Sequence, residues 1–369
     1  MLRIAIIGCG KIADSHASQI QRIKGCDIVA ACDREELMAR QLYDRFRIRQ
    51  YFSDLNRMFD QARPDVVHIT TPPQSHYSLA EECLNRGCHV YIEKPFTLNV
   101  MEAQTLVALA GKKRLKITVG HDDQFRPAAR RMRELVYRGY LGDGPHHMES
   151  YYCYELGGGY ANALLSDKNH WVRSLPGGLL HNIISHGIAR ISEYFIEEDP
   201  TVIACGFISP ALKKLGEATL IDELRTIITG KSGATAYFTF SSQMRPSLHQ
   251  FRIYGRKNGL LLDQDNETLI KLRGARRKSY LEHFVSPLDF SSQYFKGAKT
   301  NIGLFLGRGF HMKEGMKNLI EAFYASASTG APLPISYREI LLTARIMDSI
   351  FEQLNASRIA PNVTASLSV

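Results

Sequence analysis

The sequence predicts an α/β protein of two domains, the first built on a doubly wound parallel sheet. Three observations carry that prediction. Short apolar runs alternate with helix-length segments across residues 1–120. A turn of small residues, Gly8-x-Gly10-x-x-Ala13, joins the first run to the first helix. Beyond residue 121 the rhythm changes to successive strand-length runs separated by turn residues. At 369 residues the chain is also too long for one typical domain.

The first strand, IAII at residues 4–7, is apolar at every position, as in a strand buried on both faces of a parallel sheet. The small residues that follow let the backbone turn tightly, approach a pyrophosphate and pack the next helix against the strand. That helix offers unpaired N–H groups and a positive dipole end to phosphates. A second buried strand at residues 28–32 ends in Asp33, at the distance expected of a carboxylate that binds a ribose hydroxyl. Such a carboxylate repels a 2′-phosphate and favours NAD over NADP. Arg34 beside it can offset that repulsion or lie against the adenine. A helix at 35–46, a strand in DVVHITTP, a helix at 78–86 and a strand in CHVYIEKP continue the alternation. A long helix after Asn99 to about residue 112 and a fifth strand, LKITVG, complete it.

Ligands of such sheets bind at the carboxyl ends of the strands. The candidate cofactor-binding residues there are Gly8, Gly10, Lys11, Ile12, Asp33, Arg34, Thr71, Pro72, His76, Glu93 and Lys94. Lys94 stands just past its strand with its geometry fixed by Pro95, where proximity to a positive nicotinamide ring would lower its pKa.

Composition removes several classes. Hydrophobic content of 44% with 22% charged residues is that of an ordinary globular protein. No run of 18 apolar residues predicts a membrane span. The opening strand-like run shows no signal-peptide pattern, and seven cysteines without paired zinc spacing read as reduced thiols, so a cytoplasmic protein is expected. The net charge of +9 fits either a featureless basic surface or an anionic small substrate. Its clusters, such as KKRLK and KLRGARRK, lack the interleaved aromatics of a nucleic-acid module.

In the second half VIACGFI, DELRTIITG, GATAYFTFS, LHQFRIYG and GLLLDQ read as strands, with helices at 314–326 and 337–355. The domains predicted are 1–120 and 121–356, with a loose tail at 357–369. ELGGGYANAL reads as a glycine-rich loop, with Tyr160 a weak candidate substrate contact. GGLLHNIISHGI, residues 177–188, sets polar groups into an apolar helix. At about 100° per residue, Asn182 and His186 share a stripe about 40° wide, whereas His181 and His186 lie about 140° apart. No cysteine or carboxylate stands close in the segment, so no metal site is expected. His181 either lines a pocket or is satisfied elsewhere.

With GCGKIA, TPPQSH and EKP in this order and spacing, nearly the whole chain resembles the glucose–fructose oxidoreductase/inositol dehydrogenase/MocA family. GHDDQFRPAARRMRELVYRGYLGD, with Gly139 and Gly142, resembles that family's segment linking its two domains. The resemblance implies an N-terminal Rossmann domain and a C-terminal α/β domain with an open, mainly antiparallel sheet. One face of that sheet often builds oligomers, so a homo-oligomer, dimer or tetramer, is expected. It further implies an NAD(P)-dependent dehydrogenase acting on a secondary hydroxyl of a sugar, nucleotide-sugar or cyclic polyol. The family's EKP lysine is Lys94. Its Asp-x-x-x-His motif after a glycine pair falls on Gly177, Gly178 and His186, with Asn182 where aspartate is usual. Asparagine carries no charge but can orient a hydroxyl, leaving Lys94 and His186 to share the acid–base work. Trp171 and Arg173 match a family Trp-Arg pair near nicotinamide and substrate, although Trp171 also suits a packing anchor. Gln124 joins Lys94, Trp171, Arg173, Asn182 and His186 as a candidate substrate contact. Two other readings stand beside this one. Some relatives use bound NAD in a glycoside hydrolase cycle of transient oxidation and elimination, and carry a segment like Ser185–His186–Gly187. The other is a non-catalytic NAD(H)-binding protein.

Overall fold

A computed structural model describes residues 1–274, 278–307, 309 and 313–359. Its first sheet contains β1 (Leu2–Ile7), β2 (Cys26–Cys32), β3 (Tyr51–Phe52), β4 (Val66–Ile69), β5 (His89–Ile92) and β6 (Ile117–Val119), in the order β3-β2-β1-β4-β5-β6. All five pairings are parallel. The apolar runs are buried on both faces, since helices cover each side. The sequence reading has five strands; β3 is the sixth, and at two residues it is too short to show a pattern. The helix after it, Leu55–Ala62, is capped by Asp54, which accepts from Arg57 N at 2.8 Å. Strand order reverses between β1 and β4, and that switch point opens a crevice at the strand ends.

The second sheet contains β7 (His147–Cys153), β8 (Thr201–Phe207), β9 (Glu223–Thr229), β10 (Thr235–Ser241), β11 (Leu248–Tyr254), β12 (Asn258–Asp263) and β13 (Thr268–Arg273). Its order is β13-β12-β11-β7-β10-β9-β8, antiparallel throughout except for β7 with β10. The helices Ser185–Tyr194 and Tyr337–Ile359 cover one face. On the other, Ile203, Ile227 and Tyr237 are in register across β8, β9 and β10 and are 59%, 43% and 47% exposed.

Several local expectations change. The segment read as a glycine-rich loop forms the helix Gly158–Ser166, in keeping with the helix formers of its Ala-Asn-Ala-Leu-Leu end; the Tyr160 side chain lies outside the described residues. A 28-residue helix, Ser279–Leu306, was not expected, because Pro287 and two glycines interrupt its pattern. The last helix runs to Ile359, past the expected start of the tail, and residues 360–369 lie outside the described ones, as do 275–277 of the basic cluster. The polar helix divides into Gly178–Ile183 and Ser185–Tyr194, with a turn at Ile184. Met316, Leu319, Ile320 and Phe323 of the helix Glu314–Thr329 return to the core of the first sheet. Among the described residues no helix is long and apolar enough to cross a membrane.

Candidate active site

The crevice at the switch point is a cleft of about 520 Å³ lined by Gly8, Gly10, Asp33, Arg34, Thr71 and Pro72 among others. Gly8 has φ +91, and a Cβ there would lie 2.8 Å from Thr71 N, so β1 can reach its turn against β4 only as glycine. Gly10 caps the helix Lys11–Ile20 without a side-chain bond of its own, leaving the first turn to present N–H groups to an anion. Lys11 is exposed at that helix start and Ile12 packs against the core. The Asp33 carboxylate is held at the end of β2, where Oδ2 accepts from Cys9 N at 2.7 Å and Oδ1 from Glu35 N at 3.0 Å. The residue lines the cleft, where its carboxylate is a suitable acceptor for ribose hydroxyls. Met38, Leu55 and Leu79 supply apolar walls. Leu55 and Ser53 flank the strand and helix that the sequence pattern had not revealed.

His76 works through other residues rather than lining the cleft. Fully buried, it sets Nε2 2.9 Å from the carbonyl of Thr71 and Nδ1 2.9 Å from that of Pro95. It thereby joins the loops after β4 and β5. The peptide between Lys94 and Pro95 is cis.

Lys94 points from the end of β5 across the domain boundary, and its Nζ donates to the carbonyl of Asn182 at 2.9 Å. Burial draws its ammonium below the ordinary lysine value, against the opposing pull of Glu93 and Asp122. This bond lies beside the turn at Ile184, so Asn182 meets Lys94 through its backbone.

His186 is 9% exposed in the first turn of its helix. Burial lowers its pKa to about 4; Asp123 and Glu93 oppose that, while Lys94 and Arg190 reinforce it. The ring is neutral at physiological pH. Tyr152 stacks on it at 5.9 Å between centroids, and His121 meets it edge-on at 5.8 Å. Asp123 Oδ2 lies 3.8 Å from its Nδ1 and 3.6 Å from Arg190 Nη2.

Beneath Lys94 runs a buried polar chain absent from the sequence reading. Glu93 Oε1 lies 2.7 Å from His16 Nε2, His16 Nδ1 2.8 Å from His68 Nδ1, and His68 Nε2 2.8 Å from the Tyr324 hydroxyl. Burial alone would raise the Glu93 carboxyl; the bond and charge of His16, with Lys94 and His186, bring it down to about 2.

Other candidates are engaged elsewhere. The Arg173 guanidinium pairs with Glu217 at 2.7 Å and donates to Leu164 O and Thr219 Oγ1, forming a structural tie. Gln124 donates to Glu193 Oε2 at 2.8 Å and to Ala189 O. Trp171 is half-buried against the second core, and its carbonyl accepts from Gln74 of the first domain at 3.0 Å. His181 stacks on Phe351 at 4.8 Å with Nε2 3.3 Å from Thr97 O, while its buried Nδ1 lacks a hydrogen-bond partner among the described residues and the residue lines a small pocket with His121 and Ser185. Gly177 is required by the same ring, since a Cβ there would lie 2.2 Å from Phe351. Asp122, Asp123 and His186 place ligand-type atoms within 4.8 Å of one another. The two carboxylates are remote from His186 in sequence and arrive from the turn after β6. Arg190 and Lys94 already supply positive charge to that cluster.

A dinucleotide cradle facing a lysine and a buried neutral histidine across two α/β domains defines a nicotinamide-dependent oxidoreductase. Residues 2–121 match the family described as "Oxidoreductase family, NAD-binding Rossmann fold", so the N-terminal part of the chain is similar to the glucose–fructose oxidoreductase/inositol dehydrogenase/MocA oxidoreductases. It is similar to myo-inositol 2-dehydrogenase of Thermotoga maritima, 22% identical over 82% of this chain and 87% of the relative. It is also similar to UDP-N-acetylglucosamine 3-dehydrogenase of Acidithiobacillus ferrooxidans, 26% identical over 74% and 78%. The solved WlbA dehydrogenase of Bordetella pertussis, in complex with NADH and UDP-GlcNAcA, shares the fold with a TM-score of 0.76 and 15% identity, covering 96% of each chain.

Proposed function

We propose that the protein is an NAD-dependent dehydrogenase that oxidises a secondary hydroxyl of a sugar, nucleotide-sugar or cyclic polyol, with Lys94 and His186 as its acid–base pair. The observation that carries this is that Lys94, just past the end of β5, is tethered to Asn182 O, four residues before a buried, neutral His186 whose charge it disfavours. Gly8, Gly10, Asp33, Thr71 and Pro72 would hold the dinucleotide, and Asp33 favours NAD over the 2′-phosphorylated form. When bound, NAD supplies the hydride acceptor. The chain supplies the rest. The Lys94 ammonium donates to the substrate oxygen and stabilises the developing alkoxide. Neutral His186 takes the hydroxyl proton. The Asn182 side chain is assigned to orienting a neighbouring hydroxyl. An anionic substrate such as a nucleotide-sugar suits the net charge of +9.

A homo-oligomer belongs to the same proposal, supported by the exposed Ile203–Ile227–Tyr237 row on the open sheet face. A cytoplasmic setting is supported by seven free cysteines. The test is a panel of sugars, polyols and nucleotide-sugars with NAD and NADP, followed by nicotinamide absorbance and repeated with His186→Ala. Net NADH formation abolished in the variant supports dehydrogenation. Aglycone release from a glycoside without net NADH would replace it with the hydrolase cycle. Binding of NAD(H) with no turnover on any member of the panel would favour the non-catalytic reading, and activity untouched by His186→Ala and Lys94→Ala would overturn the acid–base roles.

A further inference from the structure

We propose that Asp123, delivered from the end of the first sheet, is the carboxylate partner that orients His186, in a site where residue 182 is asparagine. The inference rests on His186 being the proton acceptor. Asp123 Oδ2 faces His186 Nδ1 at 3.8 Å, and that nitrogen is buried with no hydrogen-bond partner. A buried donor left unpaired is costly, and catalytic contacts commonly shorten when substrate closes the site.

The carboxylate is well supported. It sits in the short helical turn Asp122–Phe125, where Gln264 Nε2 donates to Asp123 O at 3.0 Å. On its other side Arg190, 2% exposed, approaches the same Oδ2 at 3.6 Å. The Arg190 guanidinium in turn lies over the Tyr152 ring at 5.2 Å, and Tyr152 stacks on His186. Asp123, Arg190, Tyr152 and His186 therefore form one closed cluster in which Asp123 has both a charge to balance it and a ring to receive it.

The chemistry follows from the two ring nitrogens. With Nδ1–H donating to Asp123, Nε2 carries the free lone pair and accepts the substrate proton. The imidazolium so formed faces an ionised carboxylate. Of the charged groups around the ring, Asp123 and Glu93 favour that cation, while Lys94 and Arg190 oppose it; His121 and Tyr152 are its neutral neighbours. Asp122 is pushed up by burial and by Asp123, so it tends to hold a proton, whereas Arg190 and His186 keep Asp123 low despite its burial. The two adjacent carboxyls thus differ in role.

The test pairs an activity-independent readout with kinetics, on full-length Asp123→Asn, Asp123→Glu and Asp123→Asn/Asn182→Asp. Histidine NMR titration should show the His186 pKa falling by about one pH unit or more in Asp123→Asn, with recovery in Asp123→Glu and in the double variant. Steady-state kinetics should show kcat down about tenfold or more with NAD affinity held, and partial recovery in the same two variants. An unchanged His186 pKa with kcat within about twofold of wild type would overturn the inference. So would loss of wild-type activity on chelation with recovery by a divalent cation, which would make the cluster a metal site. Absence of any dehydrogenase activity would sink the proposed function alone, since the titration still decides the role of Asp123.

Discussion

Replacing His16 by leucine isolates the buried chain beneath Lys94. In the folded protein the Glu93 carboxyl is brought from its ordinary 4.5 down to about 2, chiefly by His16 working against burial. At about 1.4 kcal/mol per pH unit, the net shift from all these neighbours corresponds to about 3 kcal/mol at neutral pH. The sign follows from the depressed value: the stabilisation is present above pH 4.5 and is lost as pH falls towards 2. Without His16 the same carboxyl is buried with its main partner gone, so its pKa rises above the unfolded value and its charge becomes a liability. The variant should therefore lose about 3–5 kcal/mol at pH 7, and the deficit should shrink on acidification as Glu93 takes up a proton. Denaturant unfolding of both proteins between pH 4 and 8 measures this. A deficit that does not change with pH would show that His16 serves packing alone and refute the reasoning.

Two further outcomes follow from the site. Gly8→Ala should weaken NAD binding and cost about 2–4 kcal/mol, combining left-handed strain with a Cβ forced against the backbone of Thr71; calorimetric titration and thermal unfolding check both. The profile of kcat/KM against pH should be bell-shaped. Its acid limb falls as His186 protonates near pH 4, and its alkaline limb falls below the ordinary lysine value of 10.5 as Lys94 loses its proton.

Legibility in the sequence followed the strength of local pattern. Both-face burial made β1, β2, β4, β5 and β6 readable as apolar runs, and the helix expected after Asn99 starts there, with Asn99 accepting from Glu102 N at 2.9 Å. β3 was too short to see. β7, HMESYYC, alternates with polar residues inward as well as outward, Ser150 being buried where it donates to Gly187 O at 2.9 Å. In the site, Lys94 and His186 were readable because each stands at a marked local position, after a strand and after a glycine pair. Their partners were not. Asp123 is 63 residues from His186, and Glu93 is 77 residues from His16, so only the fold brings them together. The one local signal was GHDDQF, two adjacent acids directly after a strand end that points into the crevice. Arg173 shows the converse: a motif position whose donors the structure commits to Glu217, Leu164 and Thr219.

The central claim is that Lys94 and His186 perform the proton chemistry while a separate set of residues holds the cofactor. It is tested most directly by measuring NAD affinity and turnover together in Lys94→Met and His186→Gln, on the substrate found by the panel. The account predicts NAD affinity within a few-fold of wild type and turnover lower by about 10²–10⁴ in each variant. Turnover close to wild type with NAD still bound would contradict it.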